Sequence, residues 1–298
     1  MLRLKSVSKV YKVGTFGGKS LQAVRGVTFD LQPGEIVSLI GESGSGKSTI
    51  GRMILGLDRV TSGSISFEGA DISHLGHADM KAYYGAVQGV FQDPFSSYNP
   101  VFKADRVFGM LRDTYYPHLA TAEWHDKLCA SLASVGLSPD EVLDRYPHQL
   151  SGGQLQRLLI ARALMLDIRL LVADEIISML DASTRIDVLN LLGELRERGL
   201  GILFVTHDLS LGNYISDRTM ILRKGRVVEM GPTPLVFGNP VHQYTKSLLA
   251  SVPQLHRKWS TGDENGWAGA SGTGREITGG EALVEVEDGH FAARTEGV

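Results

Sequence analysis

Residues 36–57, "IVSLIGESGSGKSTIGRMILGL", limit what this chain can fold into more than any other stretch. The apolar run that ends at Gly41 reads as a buried strand, and "STIGRMILGL" has helical spacing that stops near Gly56. Between them, Gly41 to Ser48 fit the pattern G-x-x-x-x-G-K-[ST]. A glycine-rich turn that leaves a strand and opens a helix can wrap an anion in backbone N–H groups, and the helix start adds positive potential. In such a loop Lys47 reaches the outer phosphates of a nucleotide and Ser48 holds Mg²⁺. Taken alone, the motif fits kinases, GTPases and many ATPases equally well.

The organisation of the rest narrows this. "VTFDLQPGEIVSLIG" places a turn at Pro33-Gly34, and the chain up to about Phe67 reads as strands and turns. Residues of about 94–160 carry mostly helical signals, as in "AEWHDKLCASLASVGL", and read as an inserted helical lobe. "IRLLVADE" and "GILFVTHD" are continuous apolar runs ending in polar residues, with the amphipathic "ASTRIDVLNLLGELRERG" between them. Strands buried on both faces and alternating with helices argue for an α/β fold with a parallel sheet. "TMILRKGRVVEMG" reads as a hairpin about Lys224-Gly225. From residue 254 the character changes to a Gly/Ser/Thr-rich linker and tail, with a small hairpin expected at 282–294 around an Asp-Gly turn.

Composition excludes several classes. With 43% hydrophobic residues, 21% charged residues and a net charge of −3, the chain is ordinary for a globular protein and gives no sign of a nucleic-acid partner. No window holds about 18 consecutive apolar residues, so any role at a membrane must come through a partner. The single cysteine, Cys129, leaves no internal disulfide or cysteine metal cluster and is expected to be a buried, inert thiol.

Four further features carry chemistry. The strand "LLVADE" delivers Asp174 and Glu175 to its C-terminal end, where α/β folds bind ligands. Asp174 would hold Mg²⁺ and Glu175 would polarise an attacking water; the plain alternative is that both acids cap the next helix. His207 reaches the same edge at the end of "GILFVTHD", as a site residue or as a structural histidine. Gln92, in "VFQDPFSSYNP", follows another apolar strand and by itself is a surface amide. "HQLSGGQLQR" looks like a second anion-binding helix start, with Ser151 as the cap and Gly152 and Gly153 leaving N–H groups uncovered.

Together and in this order, the phosphate loop, Gln92, "LSGGQLQR", "VADE", "SMLD" and His207 resemble the ATP-binding subunits of ABC transporters over about residues 2–253. "QDPFSSYNP", "RYPHQLSGGQ" and "NPVHQYTKSLLASVP" further resemble the oligopeptide/dipeptide branch, whose members import peptides, nickel or oligosaccharides. The resemblance implies a P-loop ABC-type nucleotide-binding domain with a RecA-like core, an antiparallel β subdomain and an inserted α-helical subdomain. It makes Gly41, Glu42, Ser43, Gly44, Ser45, Gly46, Lys47, Ser48 and Thr49 the ATP-binding Walker A loop, with Mg²⁺ held by Ser48, Gln92 and Asp174. Glu175 becomes the general base, and Gln92 and His207 its catalytic companions at the γ-phosphate. Ser151, Gly152, Gly153 and Gln154 are the signature that covers the ATP of a second chain, and Asp181 lies in the D-loop. Tyr11 is either the aromatic that stacks on adenine or ordinary packing at a sheet edge.

Ile176 and Met179 stand where the branch usually has Pro and Ala, which leaves the catalytic atoms in place but bears on the path of the D-loop. The tail "ALVEVEDGHFAAR" resembles relatives in which four cysteines hold an iron–sulfur cluster; Arg294 replaces the last of these, so no such cluster is expected here. The resemblance implies a second ABC ATPase as partner, a related chain more than a second copy, and two transmembrane permease subunits fed by an extracytoplasmic solute-binding protein. The chain would then sit at the cytoplasmic face of the membrane. A soluble assembly ATPase, as in carbon–phosphorus lyase accessory subunits, is the alternative. "LSGGQ" argues against a kinase or GTPase, and the lack of a long coiled-coil insertion argues against a DNA-linked ATPase.

Overall fold

A computed structural model describes residues 1–13, 18–73, 75–178, 180–251, 283–287 and 289–293. Its strands are β1 (Leu2–Val13), β2 (Lys19–Leu31), β3 (Ile36–Ile40), β4 (Ser62–Phe67), β5 (Ala70–Asp71), β6 (Val87–Val90), β7 (Leu170–Asp174), β8 (Gly201–Thr206), β9 (Arg218–Arg223), β10 (Arg226–Pro232), β11 (Leu283–Glu287) and β12 (His290–Ala293). Its helices are α1 (Lys47–Ile54), α2 (His77–Ala86), α3 (Arg106–Tyr115), α4 (Thr121–Ser134), α5 (Pro139–Val142), α6 (Gly152–Leu164), α7 (Ala182–Glu197), α8 (Leu209–Ile215), α9 (Thr233–Gly238) and α10 (Gln243–Ala250).

Two sheets organise the molecule. The larger runs β11-β12-β10-β9-β3-β8-β7-β6, and the smaller, antiparallel sheet runs β2-β1-β4-β5. From β9 through β3, β8 and β7 to β6 every neighbouring pair is parallel. Strands β3, β7 and β8 are buried at every position, which is why their sequences are apolar throughout instead of alternating. One core cluster joins this sheet's α7 face to α3, α4 and α6, with Phe108, Leu132 and Phe204 fully or almost fully buried. A second fills the space between the two sheets around α1, including Leu4, Leu39, Ile50 and Val205. Each such aliphatic side chain contributes about 1.5–3 kcal/mol on burial.

The expected inserted stretch holds α3, α4 and α5 and no strand from residue 94 to residue 149. Helix α2, by contrast, had no clear signal, because "HADMKAYYGA" is only weakly amphipathic. Cys129 is half-buried on α4, beside His125 at 3.7 Å, not sealed in the core as expected. The reason is local: α4 buries Trp124, Leu128, Ser131 and Leu132, and Cys129 lies beside that stripe. The tail strands do close as an antiparallel hairpin, and β12 docks it onto β10. The linker at 252–282, Arg294 and Met179 lie outside the described residues.

The turn between β9 and β10 is two residues long, with Lys224 at φ 46° and Gly225 at φ 81°. Positive φ at both central positions matches the twist of the strands it joins. This turn reaches the phosphate loop: the Gly225 N–H donates to the Ser45 carbonyl at 2.8 Å, and the Arg25 N–H donates to the Gly225 carbonyl at 2.8 Å. Gly46, which caps α1 at φ 107°, lies against the same place, since a Cβ there would be 2.5 Å from the Ala23 carbonyl oxygen. Gly46→Ala is therefore expected to lower stability by about 1–3 kcal/mol through strain at a left-handed position. Denaturant midpoints measure this, and an unchanged midpoint would show that the loop relaxes freely.

Candidate functional site

Sheet register brings the predicted residues to one rim. Ile40 pairs with Thr206, Asp174 with Val205, and Val90 with Ala173. Gly41, His207, Glu175 and Gln92 therefore all leave the sheet at the C-terminal ends of adjacent parallel strands, the usual ligand edge of such folds.

The loop from Gly41 to Gly46 curls over this rim and runs into α1. The first intrahelical bond is donated by Ile50 N–H to the Gly46 carbonyl at 3.1 Å. The amides of Lys47, Ser48 and Thr49 precede it and are the orphan donors of a helix start. Lys47 is buried, and its ammonium donates to the carbonyls of Gly41 (2.7 Å) and Glu42 (2.9 Å). Burial pulls its pKa below the ordinary lysine value, opposed by the nearby carboxylates of Glu175, Asp174 and Glu42. Among the described residues, the buried Ser45 hydroxyl has no hydrogen-bond partner.

Among the described residues, neither strand-end acid caps the next helix, α7, whose N-cap is Asp181. Ser48 Oγ donates to Asp174 Oδ1 at 3.2 Å, joining the helix start to β7. Burial raises the Asp174 pKa; the Ser48 bond lowers it, the Glu175 charge raises it and Lys47 lowers it. A buried carboxylate next to a second one gains from a nearby cation. The hydroxyl of Ser48 and the carboxylate of Asp174 are hard oxygen donors of the kind Mg²⁺ prefers.

Glu175 takes φ 52°, left-handed for a non-glycine residue, and its N–H donates to the Val205 carbonyl at 2.9 Å. Such conformations are costly and concentrate at functional sites. The Glu175 carboxylate lies 3.1 Å from His207 Nδ1, the glutamate mostly sheltered and the histidine open to solvent. Ile176, next in the chain, is buried.

Gln92 is exposed just beyond β6. Tyr11 lies on β1; its hydroxyl donates to Asp58 Oδ2 at 3.0 Å and the Lys9 ammonium sits 4.9 Å from its ring centre. Asp58 Oδ2 also accepts from Arg52 Nε of α1 at 2.7 Å, which ties Tyr11 to the phosphate-loop helix, and burial raises the Tyr11 pKa.

The signature forms a separate unit. Ser151 Oγ accepts from the Gln154 N–H at 3.1 Å, and Gln154 Oε1 accepts from the Ser151 N–H at 2.9 Å, a reciprocal capping box. Gly152 and Gly153 are half-buried, and a Cβ on Gly153 would meet Thr184 of α7 at 3.2 Å. Asp181 is the N-cap of α7, accepting from the Thr184 N–H (3.0 Å), Thr184 Oγ1 (2.8 Å) and Ser183 Oγ (2.5 Å). These donors hold its pKa far below the ordinary carboxylate value. Among the described residues, no hydrogen bond or ion pair joins Ser151, Gly152, Gly153 or Gln154 to the phosphate loop. Among the described residues, the helix starts of α1 and α6 are thus separate units that share no hydrogen bond.

Sequence reasoning missed Tyr244. The Glu42 N–H, inside the phosphate loop, donates to the Tyr244 hydroxyl at 3.4 Å across 202 residues of chain. The Arg223 guanidinium lies 4.9 Å from the centre of the same ring. Only a fold that returns α10 to the loop makes this contact, so local sequence gives no signal for it.

A strand, a glycine-rich loop and a helix, with paired acids on a neighbouring strand of the same sheet, define a P-loop nucleotide-binding protein. Residues 24–178 match the family described as ABC transporter, and residues 228–272 match the oligopeptide/dipeptide transporter C-terminal region. The chain is 42% identical over 236 residues to the oligopeptide transport ATP-binding protein OppF of Salmonella typhimurium, covering 79% of this chain and 70% of that protein. It is 38% identical over 306 residues to OppF of Streptococcus mutans, covering 99% and 95%. Among solved structures, a dimeric ATP-binding cassette, MJ0796, in a post-hydrolysis state bound to ADP and Pi, superposes with a TM-score of 0.71 at 30% identity, covering 78% of this chain and 99% of that one. The chain belongs to the ABC transporter family.

Proposed function

We propose that this chain is the ATP-hydrolysing subunit of an importer that takes up oligopeptides or a related solute through partner permeases. The observation that carries the reading is the joined rim, where Lys47, Ser48, Asp174, Glu175 and His207 converge at the ends of β3, β7 and β8. The OppF relatives supply the solute class. Their names do not favour a soluble assembly ATPase.

In this reading the amides of the phosphate loop and Lys47 bind the ATP phosphates, and Tyr11 flanks the adenine. Ser48 and Asp174, with Gln92, would hold Mg²⁺, which supplies charge neutralisation on the phosphates. Glu175 accepts the proton of the attacking water, and His207 holds that carboxylate in place and faces the γ-phosphate. The signature residues Ser151, Gly152, Gly153 and Gln154, at the start of α6, would cover the ATP of a second chain, with Asp181 alongside at the junction. Donors from both sides match a phosphoryl transition state, whose charge spreads over several oxygens. The partner is a related ATPase chain, giving a heterodimer. Gln92 and the helical stretch pass closure on to permeases, which places the protein peripherally at the cytoplasmic face. No helix among the described residues is long and apolar enough to cross a membrane.

Reconstitution with the candidate permeases in proteoliposomes tests the reading. ATP-dependent uptake of a labelled oligopeptide, lost in Lys47→Ala, is the expected result. Uptake of nickel or an oligosaccharide instead would move the solute class. ATP hydrolysis with no association to a permease would overturn the transport reading.

A further inference from the structure

The C-terminal hairpin is tied to the phosphate loop through a buried polar chain. Glu229 of β10 is fully buried, in a run where Val227 and Val228 are buried too, because a bulge between Val227 and Glu229 breaks the alternation of the strand. Its carboxylate accepts from the Val241 N–H (2.8 Å) and the His242 N–H (3.0 Å) and bonds His290 Nε2 (2.8 Å). His290 is equally buried and comes from β12, so the tail supplies one of these three partners. A buried carboxylate that loses a partner is left costly, so the three groups order one another.

His242 then caps α10, its Nδ1 accepting from the Tyr244 N–H at 3.1 Å. That cap fixes the first turn of α10, from which the Tyr244 hydroxyl accepts the Glu42 N–H. Glu42 also offers its carbonyl to Lys47, so the second residue of the phosphate loop is held from two sides. Among the described residues, the Tyr244 contact is the one side-chain bond made to the loop's backbone by a residue outside that loop and its helix.

We propose that Tyr244 is a positioning residue for the phosphate loop, and that the C-terminal hairpin sets its position through His290 and Glu229. The inference rests on the reading of this loop as the ATP cradle. A loop held in its binding shape pays less ordering cost when phosphate arrives. Removing the pin therefore weakens nucleotide affinity while leaving the chemistry of Glu175 alone.

The test uses the full chain and direct binding of a fluorescent ATP analogue, with steady-state ATPase in parallel. Tyr244→Phe keeps the ring and its packing and loses the acceptor. It is expected to raise the analogue's Kd and the ATP KM by about three- to tenfold, the worth of one hydrogen bond, with kcat unchanged. His290→Leu is expected to move both in the same direction, His290→Gln, which retains a donor, to move them less, and the double variant Tyr244→Phe/His290→Leu to match Tyr244→Phe alone. Lys47→Ala is the control for the reading itself. If it loses binding and Tyr244→Phe binds normally, the positioning role fails while the site stands; if Lys47→Ala binds normally, the site reading fails and the inference with it. Effects that multiply in the double variant would overturn the link through Glu229. Tyr244→Phe is isosteric, so it decides the first point even if His290→Leu does not fold.

Discussion

Glu175→Gln is expected to reduce ATP turnover by about 10²–10⁴-fold, the contribution of a positioned general base, while nucleotide binding survives. The substitution keeps the volume of the side chain and removes its negative charge and its capacity to take a proton. The backbone is fixed independently, by the left-handed φ of 52° and the bond from the Glu175 N–H to Val205, so the amide should occupy the carboxylate's place. ATP that binds but does not hydrolyse favours the closed pair of chains, because a ligand shifts an equilibrium by its differential affinity for the two states. Single-turnover phosphate release and sizing chromatography with ATP measure both effects. Normal turnover in the variant means another group takes the proton.

Ser151→Arg is expected to damage a site that is not on its own chain. In a mixed pair, the phosphate loop facing the altered signature should lose about 10²–10³-fold in turnover, comparable to removal of an oxyanion donor. The phosphate loop of the altered chain, covered by an unmodified signature, should retain its activity. The structure separates the direct effect from simple unfolding: Ser151 is the acceptor of a capping box, and its loss costs about 1 kcal/mol of helix stability. Ser151→Ala therefore reports the lost cap alone. Chain-specific photolabelling with a nucleotide analogue reads each site in turn, and damage confined to the chain that carries the arginine would sink the model of sites shared between chains.

How much of this was legible in the sequence follows from how far apart the interacting residues lie. Strands β3, β7 and β8 announce themselves because a parallel strand buried on both faces must be apolar throughout. Gly41, Glu175 and His207 are legible for the same reason, as the first residues beyond those runs. The Ser151 cap follows from a pattern four residues long. Glu229 was hidden because the bulge after Val227 turns inward a position that strict alternation leaves undecided. Tyr244 was hidden more deeply, since its contact with Glu42 spans 202 residues and depends on β9, β10 and α9 to return the chain. The resemblance assigns Asp181 to the D-loop, and nothing in it signals that its carboxylate is engaged with Ser183 and Thr184 as a helix cap. Short-range geometry leaves marks in sequence, whereas closure of distant elements does not.

One backbone oxygen also constrains how such a chain can diverge. The Ala23 carbonyl would meet a Cβ on Gly46 at 2.5 Å and a Cβ on Gly225 at 2.6 Å. Neither glycine can accept a larger residue while β2 keeps its course, and β2 cannot move inward past either. The three positions form a ratchet, in which any change at one must wait for a shift in the path of another. Gly225 is thereby barred from drifting without touching a nucleotide at all. A descendant that lost ATP hydrolysis altogether would still be expected to keep it.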